Sequence, residues 1–106
     1  MRLALLLPML LLTTSAAAQT AMERERATHA RAIAAGYKAL TLCSVQFNAG
    51  RTPGQAQVLE LVGIYPDYQD DVLALDAAIN ADARTVSVAF DDALPPRLAA
   101  WRPKSG

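Results

Sequence analysis

One cysteine and one histidine are the single nucleophile–base combination that this chain offers. They are Cys43 and His29, and a thiol with an imidazole supports covalent catalysis only when the two lie within hydrogen-bond reach. Both fall on one predicted helix, fourteen positions apart, which at about 1.5 Å per residue separates them by roughly 21 Å. The spacing therefore argues against a thiol enzyme. Cys43 is interpreted as a small buried side chain or as half of a disulfide, and export favours the disulfide.

Carboxylates occur in two clusters that raise the question of a cation site. The clusters are Asp67, Asp70 and Asp71, and then Asp91-Asp92. Calcium takes about six to eight oxygen ligands from a shaped loop, and neither cluster has the glycine and distal glutamate of such a loop. His29 has Glu23 and Glu25 nearby but no second histidine, so zinc is not expected there. We predict solvated turn carboxylates, with no metal and no cofactor.

Serine chemistry lacks its usual motifs. The sequence contains no Ser-x-x-Lys, no Gly-x-Ser-x-Gly and no glycine-rich phosphate loop. Ser44 and Ser87 each lack a nearby general base, and the three tyrosines are interpreted as packing or surface aromatics. No catalytic residue is assigned from these patterns.

The amino-terminal segment has the composition of an export signal. Arg2 gives a positive start, residues 3–12 form an apolar run broken by Pro8, and residues 16–18 are three alanines. A bilayer span needs about 20 apolar residues, more than this run contains. We predict a signal peptide over 1–18 that is cleaved near Ala18, a periplasmic or secreted protein, and no stable membrane anchor after cleavage.

The remaining residues, 19–106, are enough for one small domain. Removal of Arg2 with the signal leaves nine basic and ten acidic side chains, a formal net charge of −1. This balance argues against a nucleic-acid partner and against a polybasic membrane-surface protein. With a single cysteine the chain cannot form an internal disulfide, the usual support of a small secreted domain. Its stability on its own is expected to be marginal.

Two capping boxes predict helix starts. Thr20-Ala21-Met22-Glu23 predicts a helix that runs to about Cys43 and ends before Asn48. Its apolar stripe comprises Ala27, Ala30, Ile33, Ala34, Tyr37 and Leu40. Thr52-Pro53-Gly54-Gln55 predicts a second, short helix carrying Val58, Leu59 and Val62 on one side and stopped by Gly63. Residues 64–71 are interpreted as a polar connection.

The last third of the chain changes to a two-residue period. Residues 85–90 alternate apolar and polar and are rich in β-branched side chains, which predicts a strand. Residues 73–79 alternate in the same way, so we favour a hairpin with 80–84 as its loop; a helix over 72–82 fits as well. Residues 98–102 supply a third strand. The predicted fold class is α+β, with amino-terminal helices followed by a small antiparallel hairpin or meander.

One segment resembles a known family. Cys43-Ser44-Val45-Gln46-Phe47-Asn48-Ala49-Gly50-Arg51 looks like the Cys-Ser-x-x-Phe-x-x-Gly-Arg segment that opens a group of exported serine hydrolases. That group belongs to the β-lactamase-related superfamily, near penicillin-binding and aminohexanoate-oligomer-hydrolase-like proteins. The order of the later features is also similar: Glu60-Leu61 before Pro66, a valine-alternating strand, and an Arg-Pro ending at Trp101-Arg102-Pro103.

The resemblance implies a lead-in to a hydrolase domain rather than the active site. In that group the Arg-Pro ending is followed by Gly-Cys, and this chain ends at Gly106, where that second cysteine would come. Cys43 would be its disulfide partner. The family's Ser-x-x-Lys nucleophile and tyrosine-centred base match nothing here, so no catalytic residue carries over.

Two functions are the resulting hypotheses. The first is the amino-terminal part of an exported β-lactamase-like serine hydrolase, inactive alone and lacking its carboxy-terminal hydrolase domain; the intact family would cleave an amide or ester through an acyl-enzyme. The second is a small stand-alone periplasmic binding or adaptor protein, whose Cys43 is buried or pairs with another chain. A small secreted inhibitor is a weaker third, because the disulfide framework of that class is missing.

Overall fold

The computed structural model describes residues 2–52, 54–55 and 60–102, and these form an α+β fold. The elements are a long helix α1 (Arg2–Phe47), a short helix α2 (Pro66–Ala74), and strands β1 (Ala77–Asn80), β2 (Thr85–Val88) and β3 (Arg97–Ala100). The predicted fold class is therefore confirmed. No helix among the described residues is both long and apolar enough to cross a membrane.

Helix α1 begins far ahead of the predicted start at Thr20. It runs unbroken for 46 residues, and the Thr20 hydroxyl donates to the carbonyl oxygen of Ala16 at 3.0 Å. The predicted capping box at residues 20–23 is thus not formed. The leucines and alanines before Thr20 are strong helix formers, so the backbone N–H groups that a cap would satisfy already have partners one turn earlier.

The carboxy-terminal end of α1 lies at Phe47, before Asn48 as predicted but one turn beyond Cys43. The N–H of Asn48 still donates to the carbonyl oxygen of Ser44 at 2.9 Å. Gly50 then adopts a φ of +67°, a left-handed conformation that glycine reaches without a side-chain clash. The chain can therefore reverse at once towards Arg51.

The buried face of α1 is not the predicted apolar stripe. Ala34, Ala35 and Ala39 are almost fully buried, whereas Ile33 and Tyr37 are about two-fifths exposed (41% and 42%). The chain has apolar residues on two adjoining faces of this helix, and the sheet packs on the face with small side chains because alanine lets backbones approach closely. The larger side chains are left outside. Of the predicted stripe, only Ala34 is fully buried.

Helix α2 replaces the predicted polar connection over 64–71. Pro66 is at the first helical position and Asp67 in the first turn, where a proline needs no hydrogen-bond partner and a carboxylate favours the helix dipole. The helix continues to Ala74, so the strand predicted from Leu73 was wrong for its first half. The two-residue alternation there is equally compatible with one buried helical position, and Val72 occupies it.

The sheet has the order β1-β2-β3 with both pairs antiparallel. The hairpin loop falls at 81–84 as predicted, with Arg84 at a φ of +55°. Asn80 fixes the turn by accepting the N–H of Ala83 on its side-chain oxygen at 3.0 Å. Val86 and Val88 on the central strand are fully buried. The third strand begins one residue earlier than predicted and ends at Ala100.

The second predicted capping box is formed. The N–H of Gln55 donates to the Thr52 hydroxyl at 3.2 Å, and the N–H of Thr52 donates to the Gln55 side-chain oxygen at 3.0 Å. Residues 54 and 55 are helical. The predicted helical positions Val58 and Leu59 lie outside the described residues.

Gln69 of α2 holds the loop that leads into this helix. Its side-chain oxygen accepts the N–H groups of Gly63 and Ile64 at 2.8 and 3.3 Å, and its amide nitrogen donates to the Leu61 carbonyl at 2.7 Å. Gly63 has a φ of +84°, but residues 60–63 are a turn and bends, so the predicted helix does not extend over Val62 to end at Gly63. These bonds fix Leu61, which is fully buried in the core with Val72, Val86, Val88 and the alanines of α1.

Candidate functional site

Cys43 and His29 lie on the same helix, as the sequence predicts, and in different environments. The Cys43 side chain is 4% exposed and belongs to the buried cluster, whereas His29 is exposed. Burial raises the pKa of the Cys43 thiol, which keeps it protonated and unreactive. The thiol is free, and the two side chains do not form a catalytic pair.

Alkylation of Cys43 by iodoacetamide is expected to be slow in the folded chain and fast in concentrated urea. If local opening costs about 3 kcal/mol, the protection is roughly 100-fold. Mass spectrometry of time points under both conditions measures the ratio. Equal rates in buffer and urea would mean that Cys43 is accessible in the folded protein.

Asp67 and Asp91, one from each acidic cluster, stabilise the local backbone. Asp91 accepts the N–H of Ala93 on its side chain at 2.8 Å and lies 4.0 Å from the Arg31 guanidinium. Arg31 in turn donates to the Phe90 carbonyl at 3.2 Å, which ties the loop after β2 to α1. Asp67 is in the first turn of α2. Within the described residues no three His, Cys, Asp or Glu side chains are grouped so as to hold a metal ion.

Two open clefts flank His29. One, of about 460 Å³, lies between α1 and the start of α2 and is bordered by Glu25, His29 and Asp67. The other, of about 410 Å³, lies between α1 and the loop before β3, with Phe90 and Pro95 among its apolar walls. Both are wide open to solvent, and neither contains a nucleophile beside a base. They suit weak binding rather than catalysis.

Lys38 is a buried charged residue that the sequence analysis did not single out. Its side chain is 5% exposed, and its amine donates to the carbonyl oxygen of Leu75, the residue that ends α2. A cation at this position also favours the helix dipole. Desolvation lowers the pKa of Lys38, opposed by the charge of Asp76. Arg24, Arg31 and Lys38 are spaced seven residues apart on α1. Arg24 is exposed and Arg31 is partly buried, whereas Lys38 is buried, a difference that the spacing does not predict.

Replacing Lys38 with methionine is expected to make the stability less dependent on alkaline pH. Because the folded-state pKa of Lys38 lies below 10.5, the folded protein loses this proton before the unfolded chain does. The quantity to follow is the free energy of unfolding of the wild type minus that of Lys38→Met. This difference should rise as pH increases from the folded-state pKa of Lys38 towards 10.5, and it should fall as pH drops through the folded-state pKa. Urea denaturation of both proteins across this range measures the difference, in which Cys43 cancels. A difference that falls with rising pH would contradict it.

Residues 43–51 and 101–102 meet at one end of the fold, which we name the junction. The indole N–H of Trp101 donates to the Asn48 side-chain oxygen at 3.4 Å, and the backbone N–H of Trp101 donates to the Arg84 carbonyl at 2.9 Å. The Arg84 guanidinium lies over the Trp101 ring, 4.8 Å from its centre. Trp101 also packs against the buried cluster that contains Cys43.

Within the part of the chain that the structure describes, α1 has one buried polar atom without a partner and, on another side, a row of exposed apolar side chains. The side-chain oxygen of Gln46 is buried and has no donor there, an uncommon state for a buried polar atom. On the outer side of α1, Ile33, Tyr37 and Leu40 form an exposed apolar row, which we name the outer face. Tyr65, 79% exposed, adjoins it across a shallow cleft that Tyr37 also lines.

Comparison with known proteins gives no relative: no family model, curated protein or solved structure matches this chain.

Proposed function

We propose that this chain is the amino-terminal part of an exported serine hydrolase of the β-lactamase-related type, and that it does not hydrolyse substrate by itself. The observation that carries the proposal is the junction. The two segments on which the resemblance depends, Cys43–Arg51 and Trp101-Arg102, lie more than fifty residues apart in sequence and are joined by the Trp101–Asn48 hydrogen bond.

The junction is compatible with a disulfide from Cys43 to a cysteine just after Gly106. Asn48 lies five residues beyond Cys43, about 7.5 Å along the helix direction. From Trp101 to position 107, six residues reach at most about 20 Å. Cα atoms of a disulfide lie about 5.5–6 Å apart, so the chain length suffices for the bond that the resemblance implies.

The outer face supports a further segment packing on that side of α1. Apolar side chains of such a segment would cover Ile33, Tyr37 and Leu40. Contiguous exposed apolar surface on a small protein commonly marks an interaction site. The chain's own chemistry is consistent with a supporting role, since the described residues bring no nucleophile and base together.

A stand-alone periplasmic binding or adaptor protein is the second candidate. The cleft of about 410 Å³ beside His29 favours it, because its apolar walls carry Arg97 and Glu25 at the rim, and small-molecule sites combine apolar walls with a few polar groups. A partner of an adaptor protein would also cover the outer face, so the junction is the observation that favours the first candidate.

The test is to read the coding sequence past codon 106 and to express the chain with and without its downstream residues. We expect a cysteine codon next, then Ser-x-x-Lys, ester or β-lactam hydrolysis by the extended protein, and a rate equal to buffer for residues 19–106 alone. Replacing the downstream serine of Ser-x-x-Lys with alanine in the extended protein is the matched control. Hydrolysis by the short chain would overturn the proposal, as would a natural stop codon with unrelated sequence beyond it.

A further inference from the structure

The chain contains two copies of one capping sequence, and the structure shows only one of them in use. Thr52 and Gln55 form the reciprocal pair of hydrogen bonds at 3.0 and 3.2 Å. Thr20 and Glu23 have the same threonine-x-x-acid or amide spacing, yet Thr20 lies inside α1 and bonds back to Ala16. The capping sequence at Thr20–Glu23 therefore has no role in the long helix, in contrast to the one at Thr52–Gln55.

The segment around Thr20 has no packing that would hold it in the long helix. Every residue from 15 to 27 is exposed, so its helical form depends on its own backbone bonds. Exposed segments of low local stability open readily, and proteases cut such segments. The three alanines before Gln19 are thus accessible to a protease once the helix opens locally.

We propose that cleavage after Ala18 switches Thr20 and Glu23 from mid-helix residues to the cap that starts the helix of the processed protein. The inference rests on the export that the proposed function includes. It adds a structural role for two residues that lie directly downstream of the predicted cleavage site.

The hydrogen-bond balance at the cut explains why a cap is needed there. In a continuous α-helix the carbonyls of Ala16, Ala17 and Ala18 accept from the N–H groups four residues later. Cleavage removes all three acceptors, which leaves the N–H groups of Thr20, Ala21 and Met22 without partners. The Glu23 carboxylate can then accept from the Thr20 N–H, and the Thr20 hydroxyl from the Glu23 N–H.

The position of the cut also matters for charge. After cleavage Glu23 and Glu25 lie in the first two turns of the helix, where negative charge is favourable, whereas in the long precursor helix they lie in its middle. Cleavage after Ala18 leaves only Gln19 ahead of the capping residue Thr20.

The experiment compares the precursor with the processed chain recovered from the periplasm of an expression host. Thr20→Ala is the test variant, and Thr20→Ser preserves the cap. The control is the same Thr20→Ala change in the precursor, where the Thr20 hydroxyl donates to the Ala16 carbonyl at 3.0 Å and does not cap a helix. Amide hydrogen exchange over residues 24–27 is measured in each protein.

We expect Gln19 as the processed amino terminus. In the processed chain, Thr20→Ala should speed exchange over 24–27 by roughly fivefold, the typical effect of losing a threonine cap, and Thr20→Ser should not. In the precursor, Thr20→Ala should leave exchange over 24–27 close to that of the unaltered precursor, because Thr20 lies within the helix there. An intact amino terminus at Met1 in the periplasmic fraction would overturn export itself. Cleavage elsewhere, or an equal effect of Thr20→Ala in both forms, would overturn the cap while leaving export standing.

Discussion

Leu61→Ala is expected to lower the free energy of unfolding by about 2–5 kcal/mol, the range for truncating a fully buried leucine. Leu61 is 0% exposed and is among the largest fully buried side chains, with Val72, Val86 and Val88. The other members of the core are mainly alanine and β-branched valine, which have little rotamer freedom, so few neighbours can move to fill the space. Because small domains are only about 5–15 kcal/mol stable, this one substitution should bring the chain close to unfolding.

Urea denaturation followed by circular dichroism measures the effect. Leu98→Ala is the matched control, since it makes the same change at a leucine that is 67% exposed on β3. The control should stay within about 0.5 kcal/mol of the wild type. Equal effects at the two positions would mean that the loop fixed by Gln69 does not hold Leu61 in the core.

Local signals in the sequence predicted the elements that depend on neighbouring residues. The capping box at Thr52 and the hairpin around residues 81–84 each depend on a few adjacent side chains, and both are present. The box at Thr20 obeys the same local rule and is not formed, because the preceding residues also form helix. A capping-box sequence shows that a helix can begin at that residue. Whether the helix does begin there depends on whether the preceding residues are also helical.

The packing face of α1 could not be predicted from the same signals. Periodicity indicated the larger side chains Ile33 and Tyr37, while the sheet packs on Ala35 and its neighbours. Which of two apolar faces is covered depends on the shape of the partner surface, and no single stretch of sequence contains that information. The burial of Lys38 results from the same choice of face, since its amine reaches the end of α2 only when the alanines face the sheet.

The junction was predictable only in part. The proposed resemblance depends on these two segments but did not predict that they meet; their contact through Trp101 and Asn48 requires the sheet to return β3 to the carboxy-terminal end of α1. That return depends on the antiparallel order β1-β2-β3. The hydrogen-bonding state of Gln46 had no signal in the sequence at all, because burial of one oxygen depends on the finished packing.

Ala35→Leu is expected to lower the free energy of unfolding by about 1–3 kcal/mol through overpacking. Ala35 is 0% exposed, and α1 packs against both β2 and β3 on the side of its small residues. The added carbon atoms there must push the helix from the sheet or take a strained rotamer. Leucine and alanine have similar helix propensities, so the helix itself should not be weakened.

Ala27→Leu makes the same substitution on the same helix at an exposed position and should change the free energy of unfolding by less than about 0.5 kcal/mol. Urea denaturation of the two variants separates packing from propensity. A loss confined to Ala35→Leu supports close packing of α1 on its alanine face. If instead Ala35→Leu is as stable as the wild type, the alanine face has room for larger side chains, and the outer face with Ile33 and Tyr37 becomes the better candidate for the packed side.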